Sequence, residues 1–324
     1  MLIIATLAVI VLGLIIWLAP RNNKDQFRFK PKKMIVNIEN INVKDTELKT
    51  PLVINSGLLQ TENRNNLYIS KWNTGLIRID SKGKQRNVYP VSGREEIGGV
   101  SVNSKGDIYI GTADIGAIGE TDVVTKARIV KVNRKGDVLK TINPPEEAYE
   151  TVAIRGNTII TSNFHIHGST TRKIKTFSIF FLNASGKVKR KISVDKYIQN
   201  ASRVSLDKHD NIYFAKSSDK QLTIFKLNKL GKLLGKLSLK ANRSINETIV
   251  FTGTDQFGSV YVAIDRPNYK YPIAIVRKYT INGILIKEIK HKAGLDQYKV
   301  TSEGKIYLLQ TKTNKDITNL HRLN

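Results

Sequence analysis

Cysteine is absent from all 324 residues. That excludes a disulfide framework, a thiolate metal site and a cysteine nucleophile. Acidic residues are scarce: 27 Asp and Glu stand against 53 Lys and Arg, a formal net charge of +26. Such a balance attracts polyanions, among them nucleic acid, anionic lipid and wall phosphate polymers. No Gly-x-Ser-x-Gly elbow, phosphate-binding loop, Cys–His pair or helical metalloprotease motif occurs, so the usual signatures of serine hydrolases, P-loop enzymes and zincins are missing. Nor does any basic residue precede the first apolar run.

That run, Leu2 to Ala19, carries no charge. As a helix rising about 1.5 Å per residue it reaches roughly 27 Å, enough for a bilayer core, and Trp17 falls near an interface. Pro20 follows Ala19 where a small-residue cleavage site belongs, which disfavours a cleaved leader. The expectation is one N-terminal transmembrane helix over residues 1–20, then a basic tether over 21–33. Arg21, Lys24, Arg28, Lys30, Lys32 and Lys33 flank the span on its C-terminal side and argue for a cytoplasmic domain. The lack of cysteine and the stalked layout argue for the outside, which is the side expected here.

Beyond the tether the chain alternates. Val100–Ile110 and Arg128–Leu139 each read as a hairpin: apolar residues at every second position run into Asn-x-x-Gly, and a second alternating run leaves it. The first signature recurs at Asn66–Ile69, Gly106–Ile110, Gly156–Ile160, Asp210–Phe214, Gly258–Val262 and Gly304–Leu308. The second ends at Gly83, Gly136, Gly186, Gly231 and, more loosely, Gly283. A period of roughly 40–55 residues is that of four-stranded propeller blades. The sixth copy stops after its third strand, Ile317–Asn324, while Met34–Ile41 alternates with no hairpin partner nearby. The expectation is therefore an all-β, six-bladed β-propeller over 34–324, closed by the N-terminal strand at Met34–Ile41, since an open junction would expose apolar surface.

The pattern Val-x-Val-x-x-x-Gly-x-Ile-Tyr-Ile, followed by Ile-x-Lys-Val-Asn-x-x-Gly-x-Val, resembles NHL-repeat proteins and the related six-bladed propellers of the senescence-marker/gluconolactonase type. The resemblance spans residues 34–324. It lacks the Asn-His-Leu-like segment and the Pro-x-Gly opening of many such repeats.

Candidate site residues come from aligning the starts of the innermost strands. There stand Asn55, Glu96, Glu150, Asn200, Glu247 and Asp296, one carboxylate or amide per blade. Facing a central channel, they would form a ring of hard oxygen ligands for Ca²⁺ or Mg²⁺; as turn formers they would need no ligand. The resemblance implies a similar channel ion, because gluconolactonase-type propellers hold a divalent metal through acidic and Asn side chains. His165 and His167 share one strand face, with no third ligand nearby. Longer connections between second and third strands are expected at 113–126, 163–175 and 265–272. The first carries Asp114, Glu120 and Asp122 and reads as a flexible lid or a second cation site. The last carries Arg266, Tyr269 and Tyr271, a composition suited to partner binding.

Three functions follow from these residues. One is a non-catalytic binding or scaffold module held at a membrane by the N-terminal helix and presenting the propeller to a protein or polymer. Another is a metal-dependent lactonase or hydrolase. The third is polyanion binding, to nucleic acid if the ring is cytoplasmic and to wall polymer if it is outside.

Overall fold

A computed structural model of the chain describes residues 46–47, 59–61, 66–71, 74–80, 84–91, 93–118, 121–163, 177–197, 204–218, 220–266, 273–291, 297–312 and 317–323. The chain divides into compact units at Met1–Pro31 and Lys32–Asn324. The second unit is an all-β β-propeller.

Five four-stranded antiparallel sheets each come from one continuous stretch. Sheet one holds β2 (Leu59–Thr61), β3 (Leu67–Lys71), β4 (Gly75–Ile79) and β5 (Gln85–Tyr89). Sheet two holds β6 (Glu95–Val102), β7 (Ile108–Ile118), β8 (Thr121–Val132) and β9 (Val138–Ile142). Sheet three holds β10 (Thr151–Arg155), β11 (Thr158–Ser162), β12 (Ser178–Leu182) and β13 (Val188–Ser193). Sheet four holds β14 (Ser205–Leu206), β15 (Ile212–Ser218), β16 (Gln221–Leu227) and β17 (Leu233–Lys240). Sheet five holds β18 (Thr248–Thr254), β19 (Val260–Arg266), β20 (Ile273–Tyr279) and β21 (Leu285–His291).

A further four-stranded sheet is composite. Its strands β22 (Gln297–Val300), β23 (Ile306–Lys312) and β24 (Ile317–Leu323) come from the C-terminal end, and β1 (Thr46–Glu47) pairs on the far side of β24. Thr46 lies opposite Leu320 and Glu47 opposite Asn319. Among the described residues the N-terminal partner of the last strand is Thr46–Glu47; the expected Met34–Ile41 lies outside them. The physical reason is that an outer strand supplies chiefly backbone groups to an open edge. Alternation in 34–41 signals a strand but does not say which residues meet that edge. Among the described residues no helix is long and apolar enough to cross a membrane. The expected span at 1–20 and tether at 21–33 lie outside them.

Each hairpin forms for local reasons. In the turn after β6, Asn103 Oδ1 accepts from the backbone N–H groups of Lys105 (3.0 Å) and Asp107 (2.9 Å). Gly106, at φ +87°, closes the turn back onto the Asn103 carbonyl at 2.9 Å. Asn133, Asn183 and Asn228 repeat this before the fourth strands, and Asp207 and Asp255 before the second. A register shift sits beside the turn before the fourth strand in sheets two to five, at Lys131/Val132, Phe181/Leu182, Lys226/Leu227 and Lys278/Tyr279. Such bulges sharpen local twist, and twist lets neighbouring sheets pack like propeller blades.

The core lies between the sheets. One apolar cluster joins Tyr68 and Leu76 of sheet one to Ile97, Ile110 and Val130 of sheet two. Further clusters join sheets two and three, three and four, four and five, and five and the composite sheet. β2 also touches β22. A polar interlock ties the later sheets. Buried Asp207 Oδ2 accepts from Tyr213 Oη (3.0 Å) and Asn211 Nδ2 (2.7 Å), and the Tyr213 oxygen lies against Gly258 of the next sheet. Asp255 Oδ2, Tyr261 Oη and Lys278 Nζ repeat the arrangement against Gly304. Backbone bonds run alongside, from Lys208 N to Gln256 O (3.0 Å) and from Gln256 N to Ser302 O (2.8 Å).

Candidate functional site

Antiparallel order makes every innermost strand start on one side of the propeller, here called the upper face. The connections between second and third strands lie on that side as well. On it the β7–β8 hairpin stands out. The expected flexible lid at 113–126 is instead an extension of both strands, paired out to Ile118 opposite Thr121, with a register shift between Asp114 and Ile115. Pairing persists because Ala113, Ile115 and Tyr149 form a small apolar cluster beneath the hairpin, joined by Val124 and Ala127. The arm therefore has a core of its own. Glu120 lies outside the described residues.

At the base of the arm, between sheets one and two, a cleft of about 420 Å³ is lined by Tyr89, Arg94, Glu95, Asp114, Arg128 and Thr141, among others. Glu95 is buried, and its Oε1 accepts from Tyr89 Oη (2.9 Å), Thr112 Oγ1 (2.7 Å) and Arg128 Nη2 (3.1 Å). The same Arg128 nitrogen meets Asp114 Oδ1 at 2.5 Å. Burial works against the guanidinium's charge, but the bonds to Asp114 and Glu95 outweigh it and raise its pKa. Burial and the neighbouring Glu95 charge push the Tyr89 phenol well above its ordinary value, so it remains a donor. The result is a preorganised cluster in which each charge is held by a partner and fixed in place.

Between sheets two and three, Glu96 and Glu150 meet around buried Tyr149. Burial first, then the charges of Glu150 and Glu96, drive the Tyr149 pKa far upward. Glu150 is itself 6% exposed, and its N–H donates to Ser162 O at 3.1 Å. Two of the six expected channel residues are therefore neighbours, Glu96 within β6 and Glu150 immediately before β10.

A third, Glu247, lies directly before β18 in a cleft of about 620 Å³ lined by Ser217, Ser218, Gln221, Asn246 and Thr248. Its Oε2 accepts from Arg266 Nε at 2.9 Å, and the carboxylate is 6% exposed. Glu247, expected as a metal ligand, and Arg266, expected as a partner contact, are thus each other's ion-pair partners. Asn55, Asn200, Asp296, Tyr269, Tyr271, His165 and His167 lie outside the described residues. Among the described residues no three His, Asp or Glu side chains converge on a common point.

The cluster that alignment of strand starts overlooked is Glu95, Arg128 and Tyr89. A signal was present: Glu95 and Glu96 are adjacent in a strand, so alternation sends them to opposite faces. Glu95 accordingly faces the seam between sheets one and two, and Glu96 the seam between sheets two and three.

Among solved structures, a likeness at a TM-score of 0.50 supports the architecture. YCF48 bound to D1 peptide superposes with a TM-score of 0.50 at 9% identity, covering 90% of this chain and 98% of that one. A protein described as a candidate gluconolactonase gives 0.48 at 11%, covering 87% and 93%, and oligogalacturonate lyase in complex with manganese gives 0.45 at 12%, covering 83% and 76%. No protein-family model matches the sequence, and neither does any curated protein. At these identities the likeness extends to the fold alone.

Proposed function

We propose that this chain is a membrane-held, non-catalytic binding module. Its composite sheet serves as the sixth blade of a closed ring, residues 1–20 anchor it, and its upper face receives a protein partner. The observation that carries this is the β7–β8 arm, standing beside a cleft in which Glu95, Asp114 and Arg128 are paired with one another. Arg128 is clamped between Glu95 and Asp114, and Glu247 across the ring is clamped by Arg266. A carboxylate bonded to a guanidinium is held in one rotamer, which suits recognition. A rigid arm with its own apolar base offers contact area at low ordering cost. The repeat pattern further supports placing the chain as a divergent relative of the NHL and gluconolactonase-type propellers.

Photocrosslinking in intact cells tests the reading. A crosslinker at Lys126, exposed on the arm, is expected to trap one discrete protein, and Arg128→Met is expected to lower that yield. Equal trapping from Lys126 and from an exposed residue of the opposite face, such as Lys187, removes the proposal.

A further inference from the structure

The face opposite the clefts is formed by the reversals between first and second strands and between third and fourth strands. Its carboxylates are largely engaged within the fold. Asp107 holds Lys131 at 2.8 Å, Asp210 holds Arg155 at 3.2 Å, and Asp207 and Asp255 are buried under their own turns. Lysines behave oppositely: Lys105, Lys135, Lys187, Lys208, Lys229 and Lys232 all stand exposed at turn tips. The exposed carboxylates among the described residues of these turns are Asp137 and Glu303.

Two large apolar side chains project among those lysines. Leu230 is 70% exposed and Phe257 is 68% exposed, more than any other large hydrophobic residue described. Lys208 Nζ lies 5.1 Å from the Phe257 ring centroid. Leu233 and Leu234, just past the same turn as Leu230, are exposed as well. A hydrophilic polyanion would engage the ammonium groups and leave these side chains in water. An anionic bilayer satisfies both, because its headgroup boundary takes apolar tips while its phosphates meet the lysines. Strand direction adds a second argument. β24 runs toward this face and β1 is antiparallel to it, with Thr46 opposite Leu320 and Glu47 opposite Asn319. β1 therefore starts on the side of the turn face, and the uncharged run Leu2–Ala19 precedes it in sequence.

We propose that the turn face is a peripheral docking surface for an anionic phospholipid bilayer, with Phe257 and Leu230 entering the headgroup boundary and the surrounding lysines meeting lipid phosphates. This surface is separate from the partner face; it rests on the anchor read for residues 1–20, and flotation of the chain with phosphatidylcholine vesicles reports that anchor separately from the dye shift. The chain lacks cysteine, so one introduced thiol takes a dye uniquely. His209→Cys on the turn face and Lys126→Cys on the arm are each labelled with an environment-sensitive fluorophore. The full chain is then reconstituted into vesicles containing phosphatidylglycerol or phosphatidylcholine alone.

The expected result is a blue shift and shielding from a neutral aqueous quencher at position 209 in phosphatidylglycerol vesicles only, reversed by salt, with position 126 unchanged. Each lysine near an anionic surface changes partitioning roughly fivefold. Lys229→Gln with Lys232→Gln should therefore lower the docked-to-undocked ratio roughly 25-fold, with circular dichroism unaltered. The proposal is overturned by an aqueous signal at 209 in phosphatidylglycerol vesicles, or by equal shifts at 209 and 126. Shielding of 209 by soluble polyphosphate but not by vesicles overturns it too, and would mark the face as a polymer site.

Discussion

Adding one methyl group at Gly258 probes how the blades are locked together. Its φ is +82°, and a Cβ there would lie 2.5 Å from Tyr213 Oη and 3.2 Å from Asp207 Oδ2. A left-handed conformation costs an L-residue about 1–2 kcal/mol. Tyr213 is fully buried and cannot swing into solvent, so relief of the clash must break its bond to Asp207. A hydrogen bond to a charged group is worth about 1.5–3 kcal/mol. Gly258→Ala is therefore expected to destabilise the propeller by about 2.5–5 kcal/mol, the sum of these two effects. Tyr213→Phe alone loses the same hydrogen bond, about 1.5–3 kcal/mol, but it also removes the oxygen that the methyl group strikes. The double variant should thus fall short of the sum of the singles by about 1.5–3 kcal/mol. Chemical denaturation of the four proteins supplies the cycle. Additivity within about 0.5 kcal/mol would mean that the two residues are not coupled, and the interlock account fails.

Other expectations follow from the same packing. Arg128→Met leaves Glu95 buried with only neutral donors and should cost about 1–3 kcal/mol; adding Glu95→Gln should restore part of that, and no restoration in thermal melts counts against the cleft as described. Burial works against ionisation of Asp255, but hydrogen bonds from Lys278 and the Ser259 N–H outweigh it and depress its pKa. Its contribution is then present above the unfolded value of about 4 and lost as pH falls through the folded value. Asp255→Asn should flatten the acid limb of stability against pH, and an unchanged limb refutes this. Deleting residues 1–33 should leave the unfolding midpoint in place, whereas deletion through Glu47 should lower stability by about 1–3 kcal/mol and promote association through the bared edge of β24. Identical midpoints for the two deletions would show that β1 contributes nothing to closure.

Much of the architecture was legible because it is written locally. Asn103, Asn133, Asn183 and Asn228 each carry a turn on one side-chain oxygen and one glycine within four residues, and strand alternation needs no distant information. The Tyr-on-Asp bonds are equally local, since Asp207 and Tyr213, like Asp255 and Tyr261, are six residues apart. The site was read less well. Glu96, Glu150 and Glu247 stand at the starts of their innermost strands, but proximity in an alignment carries no information about partners. Arg266, expected as a partner contact, pairs with Glu247 because a buried carboxylate needs a cation and β19 ends beside it.

Residues alone determined the all-β character, the turn chemistry, the excess of positive charge and the absence of thiol chemistry, since each depends on composition or on contacts a few positions apart. Only the tertiary structure decided that Thr46–Glu47 pairs with the final strand, that 113–126 is an arm with its own apolar base, and that Glu95 and Asp114 share one arginine. Those outcomes depend on which edges and faces remain unsatisfied once the sheets have packed, and that is a property of the assembled sheets, not of any single stretch of chain.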